Sequence, residues 1–140
     1  MPNKSTLFTL EGVSQYISKP ALSATLNELK VLTGDSRTVF CFSYVDEQLM
    51  DNPSACFGVG YPNAAKRADA IMNLSAKFGE PWQSFYSGQE VERLLNESGF
   101  QLKQLTSLDD INTLYFKPKG REVPQSEIMK LEHFVVARSP

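Results

Sequence analysis

The sequence predicts an α/β fold, and three features carry that prediction. Two runs rich in apolar, β-branched and aromatic residues, Thr6–Leu10 and Arg37–Tyr44, read as strands with little polar interruption. Between them a leucine stripe at helical spacing makes strand, helix, strand, a right-handed βαβ unit with parallel strands. Late in the chain, Phe100–Thr106 and Glu132–Arg138 read as two further strands joined by a long connection, an antiparallel edge on an otherwise parallel sheet.

The first strand reads as buried or nearly so, and it ends in Glu11 and Gly12, at the kind of carboxyl edge where open α/β sheets hold ligands. A helix over Ser18 to Leu32 follows, with Ser18 as its N-cap, Pro20 in its first turn and Gly34 as its stop. Leu22, Leu26, Leu29 and Leu32 form its apolar stripe. The second strand runs into Tyr44, Asp46 and Glu47. The stretch from Asp46 to Tyr61 then reads as a loop, packed through Phe57 and Tyr61. Asn63 to Phe78 returns to helical spacing through Ala64, Ala68, Ile71 and Ser75. Ser87 with Glu90 is a capping box that opens a helix ending at Gly99. Leu102 and Leu105 mark a half-exposed strand, Ser107 and Asp110 cap a short helix around Ile111 to Tyr115, and Lys117 to Pro124 is a polar loop.

At 140 residues the chain is read as a single domain, 1–140, large enough to bury a core. Its net charge of −2 gives no basic footprint for nucleic acid or an anionic membrane. No apolar run reaches the roughly 20 residues a membrane helix needs, and MPNKS has no signal-peptide core, so the expected location is cytoplasmic. Cys41 and Cys56 lack CxxC spacing and read as reduced packing residues. Gly58 and Gly60 form a GxG, but a cofactor loop needs a strand before it and none is there, so loop flexibility accounts for the glycines. His133, the only histidine, has no metal-spaced partner and reads as structural; no metal site is expected. Asp46-Glu47 and Asp109-Asp110 read as solvated or capping acids, and Lys117, Lys119 and Arg121 as a solvated turn. Glu11 is read two ways, as a solvent-facing strand end or as a ligand contact at the top of the sheet.

LFTLEGVSQYIS followed by the leucine-striped helix resembles the strand, Glu-Gly-Val, Tyr-Leu motif of the leucine carboxyl methyltransferase-like family of S-adenosylmethionine-dependent O-methyltransferases. VFCFSYVD, FGEPWQSFYSGQEVERLLNESGF, the LYF after the last short helix and the terminal FVVARS continue the resemblance in order. The resemblance implies the C-terminal half of a Rossmann-like methyltransferase sheet: two parallel strands, an antiparallel edge pair and helices packed on them. It implies that Glu11 and Gly12 lie beside the cofactor and that Tyr16 lies near the methyl-transfer pocket; Tyr44 and Asp46, at the carboxyl end of the second strand, are read as further candidates for the substrate pocket. It also implies that the N-terminal cofactor-binding half, with its glycine-rich loop, is missing.

Methyl transfer depends on holding the sulfonium donor and the nucleophile in line, so half a cofactor site is not expected to turn over substrate. S-adenosylmethionine is the implied cofactor, and catalytic residues stay unknown. Two classes of function are open. One is a truncated methyltransferase that needs a separately encoded N-terminal half, for which Met1 just before the first strand is suggestive. The other is a non-catalytic dimeric binding or interaction module. Exposed apolar edges lead to the expectation of a homodimer covering the first strand, or the faces that lost their helices.

Overall fold

The computed structural model describes residues 4–140, so Met1 lies outside the described residues. The elements are β1 (Thr6–Leu10), α1 (Lys19–Thr33), β2 (Thr38–Val45), α2 (Gln48–Asp51), α3 (Ala64–Lys77), α4 (Gly88–Glu97), β3 (Gln101–Ser107), α5 (Leu108–Ile111) and β4 (Glu132–Arg138). One mixed sheet has the order β1-β2-β4-β3. β1 and β2 are parallel from Thr6↔Thr38 to Leu10↔Phe42. β4 is antiparallel to both neighbours, with Cys41↔Val136 and Leu105↔Val135 in register. The predicted α/β architecture, parallel pair and antiparallel edge pair are what the chain forms.

Alternation along the strands divides the sheet into two unlike faces. Phe40, Phe42, Tyr44, Val135 and Ala137 point to one face, where they are buried against Leu22 and Leu26 of α1 and Val91 and Leu95 of α4. Truncating either α1 leucine to Ala is a loss of about 2–5 kcal/mol. Leu32, assigned to the same stripe, is 79% exposed: ten residues on from Leu22 it has rotated about 80° away from the buried face.

A second cluster joins Val45, Leu49, Cys56, Phe57 and Ala68, with Ile71, Trp82 and Phe85 packed against it. It forms a cap over residues 46–85, built on the carboxyl end of β2. The ends of the cap meet: Tyr86 N–H donates to Val45 O (3.0 Å) and Glu47 N–H to Tyr86 O (3.0 Å).

Several expectations need correction. β1 is an edge strand that is not buried: Phe8 and Leu10 face the helices, while Leu7 is 63% exposed on the other side. The presumed loop 46–61 contains α2 and a tight turn at Pro53–Ala55. The Ser87–Glu90 capping box is only half made. Ser87 Oγ accepts from Glu90 N–H, but the Glu90 carboxylate is drawn to Lys19 Nζ at 2.7 Å. The helix placed around Ile111 starts earlier, at Leu108, under a complete Ser107–Asp110 box, and runs into a π-helical turn over Asn112–Phe116.

Gly58 and Gly60 serve close packing and not flexibility. Gly58 N–H donates to Ile128 O (2.8 Å) and Gly60 N–H to Ser126 O (2.7 Å). A Cβ on Gly58 would come within 2.6 Å of Gln125 O and would overlap Ser126 O.

Candidate functional site

The carboxyl ends of β1 and β2 lie side by side, and two turns leave from them. After β1 the backbone takes a left-handed residue at Gly12 (φ 68°), a conformation glycine adopts freely. That twist aims the Gly12 N–H at Ser43 Oγ, 2.8 Å away, and Ser14 Oγ donates to Ser43 O at 2.6 Å. A second strand-like segment fixes the turn from the other side. Gln83 N–H donates to Gln15 O (2.7 Å), Gln83 Nε2 to Tyr16 O (2.5 Å), and Ser84 Oγ to Ile17 O (2.5 Å). Glu11 is thus an exposed carboxylate on a braced turn, with no ion pair among the described residues. It can accept hydrogen bonds from a hydroxyl or amine. Ser43 and Gln83 were not singled out in the sequence, although Ser43 is the polar residue nearest the end of the apolar run RTVFCFSY.

Tyr16 sits half-buried with its ring edge-on to Trp82 (centroids 6.2 Å apart, planes at 88°). Together with Ile71, Leu74, Ser75, Phe78, Glu80 and Trp82 it lines an open, largely apolar hollow of about 360 Å³.

Tyr44 and Asp46 form a separate group. Tyr44 is 1% exposed, stacked on His133 (5.2 Å, 28°) and edge-on to Tyr86 (6.1 Å). Burial, reinforced by the Asp46 charge, holds its hydroxyl protonated far above the ordinary tyrosine range. Asp46 is largely enclosed: Oδ1 accepts from Gln48 N–H (2.9 Å) and Oδ2 lies 2.8 Å from His133 Nε2. It holds the first N–H of α2 from the position before the N-cap, Glu47, and is largely enclosed. His133 joins β4 to the end of β2 through this contact, and that contact could not be read from sequence because 87 residues separate the partners.

The five candidate residues therefore do not converge. Glu11 and Gly12 lie on one turn with Tyr16 close by, whereas Tyr44 and Asp46 are engaged in the packing around His133. Gly58–Gly60 is occupied by the backbone of 125–128, so it cannot approach a cofactor. Among the described residues there is no group of three or more His, Cys, Asp and Glu able to hold a metal, and no helix is long and apolar enough to cross a membrane. Both cysteines are free.

No protein-family model matches the chain. It is 30% identical over 135 residues to "Putative S-adenosyl-L-methionine-dependent methyltransferase YktD" of Bacillus subtilis (strain 168), a match covering 95% of this chain and 40% of that protein. The chain thus spans less than half the length of this curated relative. Among solved structures it is similar to a DUF574 family protein from Streptomyces avermitilis MA-4680, with a TM-score of 0.61 and 12% identity, covering 98% of this chain and 45% of that one. It is also similar to a possible exported protein from Bordetella parapertussis, with a TM-score of 0.56 and 14% identity, covering 96% and 38%. These likenesses show the fold, which the chain shares with less than half of each larger molecule.

Proposed function

We propose that these 140 residues carry the C-terminal part of an S-adenosylmethionine-dependent methyltransferase-like fold, of the leucine carboxyl methyltransferase-like kind, and that they do not turn over substrate alone. The observation that carries this reading is the braced turn after β1. It presents the Glu11 carboxylate at the carboxyl edge of a parallel pair, where α/β sheets hold ligands, within a stretch similar to the Bacillus subtilis protein YktD. Glu11 would accept hydrogen bonds from the bound donor, the Gly12 turn would leave room beside it, and Tyr16 would border the acceptor's side.

These residues do not by themselves make a complete seat for the donor. One carboxylate and one turn are present, while the chain's only GxG is consumed by packing against Ser126. No methyl-transfer step is assigned to the chain for that reason. Completing the site falls to a further polypeptide, a separately encoded half or another part of a longer chain.

A second reading, a dimeric interaction module that keeps the fold without the chemistry, is favoured by one observation. The sheet face opposite α1 and α4 carries apolar residues that belong to neither buried cluster. Titration calorimetry with S-adenosylmethionine on the purified chain separates the two. Absent or millimolar binding, restored by adding an N-terminal methyltransferase half, supports the first reading. Absent binding that no added half restores supports the second. Micromolar binding by the chain alone, with methyl transfer, would overturn both.

A further inference from the structure

The hollow beside Tyr16 has a chemistry of its own. Its walls are aromatic and aliphatic, and Glu80 is the one charged residue among the described residues that line it. Tyr16 and Trp82 stand at 88° to each other with centroids 6.2 Å apart, so their planes form two walls of a corner. Both are half-buried and so held in place, whereas Phe78 is 75% exposed on the rim.

The backbone supplies the negative side. α3 stops here: Phe78 N–H donates to Leu74 O (3.2 Å), Gly79 N–H to Ala76 O (3.0 Å), and Glu80 N–H returns to Ser75 O (3.0 Å). Gly79 takes the left-handed conformation that such a stop requires (φ 79°). Glu80 is thereby set at the carboxyl end of a 14-residue helix, where the partial negative charge of the last carbonyls already gathers. Trp82 N–H donates to Ser75 Oγ at 3.4 Å, which ties the tryptophan to the same turn. Glu80 has no ion-pair partner among the described residues. Lys77, in the last turn of α3, is exposed and is not part of the lining.

A carboxylate, a helix carboxyl end and aromatic rings all attract positive charge. The aliphatic walls select among cations. A metal ion or a bare ammonium would have to shed tightly held water to enter an apolar hollow, whereas a charge spread over methyl groups is weakly hydrated and has an apolar surface. A neutral apolar molecule gains nothing from Glu80. We propose that this hollow is a binding site for an organic cation with a methylated ammonium head, seated against Tyr16 and Trp82 and balanced by the Glu80 carboxylate. The Trp82 indole N–H lacks a partner among the described residues, but it is buried and closed to the hollow, so it does not recruit an anion there. The proposal goes beyond the reading above and needs no bound S-adenosylmethionine, so calorimetry with that compound and the test below can fail separately.

Trp82 is the only tryptophan, so its fluorescence reports on the hollow directly. The full chain is titrated at constant ionic strength with tetramethylammonium chloride, with choline chloride, and with the neutral carbon isostere of choline, in which a tert-butyl group replaces the trimethylammonium head. A saturable change is expected with both cations at millimolar concentration or below, and binding of the neutral isostere about fivefold weaker than that of choline. Glu80→Gln should weaken choline by about threefold or more and leave the isostere unchanged. Tyr16→Leu keeps an apolar wall without the ring and should weaken choline more than the isostere. Circular dichroism checks that each variant is folded; if Tyr16→Leu is not, the exposed Glu80→Gln variant and the isostere decide. A wild-type chain with no saturable response to either cation would overturn the proposal. So would equal affinity for the isostere, or a Glu80→Gln variant that binds choline as wild type does. Displacement of choline by S-adenosylmethionine but not by S-adenosylhomocysteine would give the hollow to the donor's own sulfonium, and would overturn the assignment as well.

Discussion

Replacing Gly58 with Ala adds a single methyl group where there is no space for one. The new Cβ would meet the carbonyl oxygens of Ser126 and Gln125, which are backbone atoms and cannot swing aside as a side chain would. Relief requires the 57–60 and 125–129 segments to part, which strains both and lengthens the Gly58–Ile128 and Gly60–Ser126 hydrogen bonds, now 2.8 and 2.7 Å. Overpacking of this kind costs about 1–3 kcal/mol. Each weakened backbone bond adds about 1 kcal/mol. The expected loss is therefore about 3–5 kcal/mol in urea unfolding, with no ligand present. Gly88→Ala is the matched control. Its Cβ would sit 3.1 Å from Leu105 Cδ2, the end of a flexible side chain, and at a helix start Ala is the better helix former, so stability should change by less than about 1 kcal/mol. A Gly58→Ala protein as stable as wild type would refute the packing role, and the GxG would again be available to a ligand.

Three other outcomes follow from the packing. Asn112, 3% exposed, clamps Val123 through Nδ2 to O (2.9 Å) and N–H to Oδ1 (2.8 Å). Asn112→Ala should lose about 1–3 kcal/mol and speed hydrogen exchange at Val123; an unchanged exchange rate would contradict the clamp. Burial pushes the Tyr86 hydroxyl up to about 12, with the Ser84 hydroxyl offsetting part of the rise and Glu90 adding to it, and burial then the Asp46 charge push the Cys56 thiol up to about 11. The fold thus favours both neutral forms. Their contribution is complete below the ordinary values of 9.0 and 10.0 and is lost as pH rises through the raised ones, so urea midpoints should fall between about pH 9 and pH 12, and a flat profile there would contradict the assignment. Lys19→Ala removes a half-exposed pair with Glu90 and a cation 4.8 Å from the Tyr86 ring, and should cost less than about 1 kcal/mol, measured by thermal unfolding at low salt.

Much of the fold was legible because local signals and tertiary packing agree. Ser18, Pro20 and Gly34 bracket α1 as their backbone chemistry requires, with Ala21 N–H donating to Ser18 Oγ and Gly34 N–H to Lys30 O. β4 spans Glu132–Arg138, the bounds read from its sequence. The exposure of Leu7 was not legible in its pattern, since the same residues suit a central strand or an edge; only a missing neighbour distinguishes them. Leu102 and Leu105 mark the half-exposed strand although they are three apart, because a bulge between Leu102 and Gln104 returns both leucines to the face of Ala137 and Val135. At the candidate site, the Glu11–Gly12 turn was visible from the order of its residues. The pairing of Asp46 with His133 and of Gly12 with Ser43 was not, because both join segments remote in sequence.

The meeting of Val45 with Tyr86 at the foot of the cap has a consequence for how such a chain can diversify. An excursion whose two ends are already hydrogen-bonded neighbours can be lengthened, shortened or exchanged without moving the strands beneath it, since closing a longer loop adds only about 0.6 kcal/mol per doubling. Residues 46–85 are in that sense a replaceable lid module on a fixed platform. Tyr16 and the hollow beside it border the exchangeable part, whereas Glu11, Gly12 and Ser43 belong to the platform. Change in what is recognised can therefore accumulate in the module ahead of Gln83, while Gln83 and Ser84 at its end go on bracing the turn after β1.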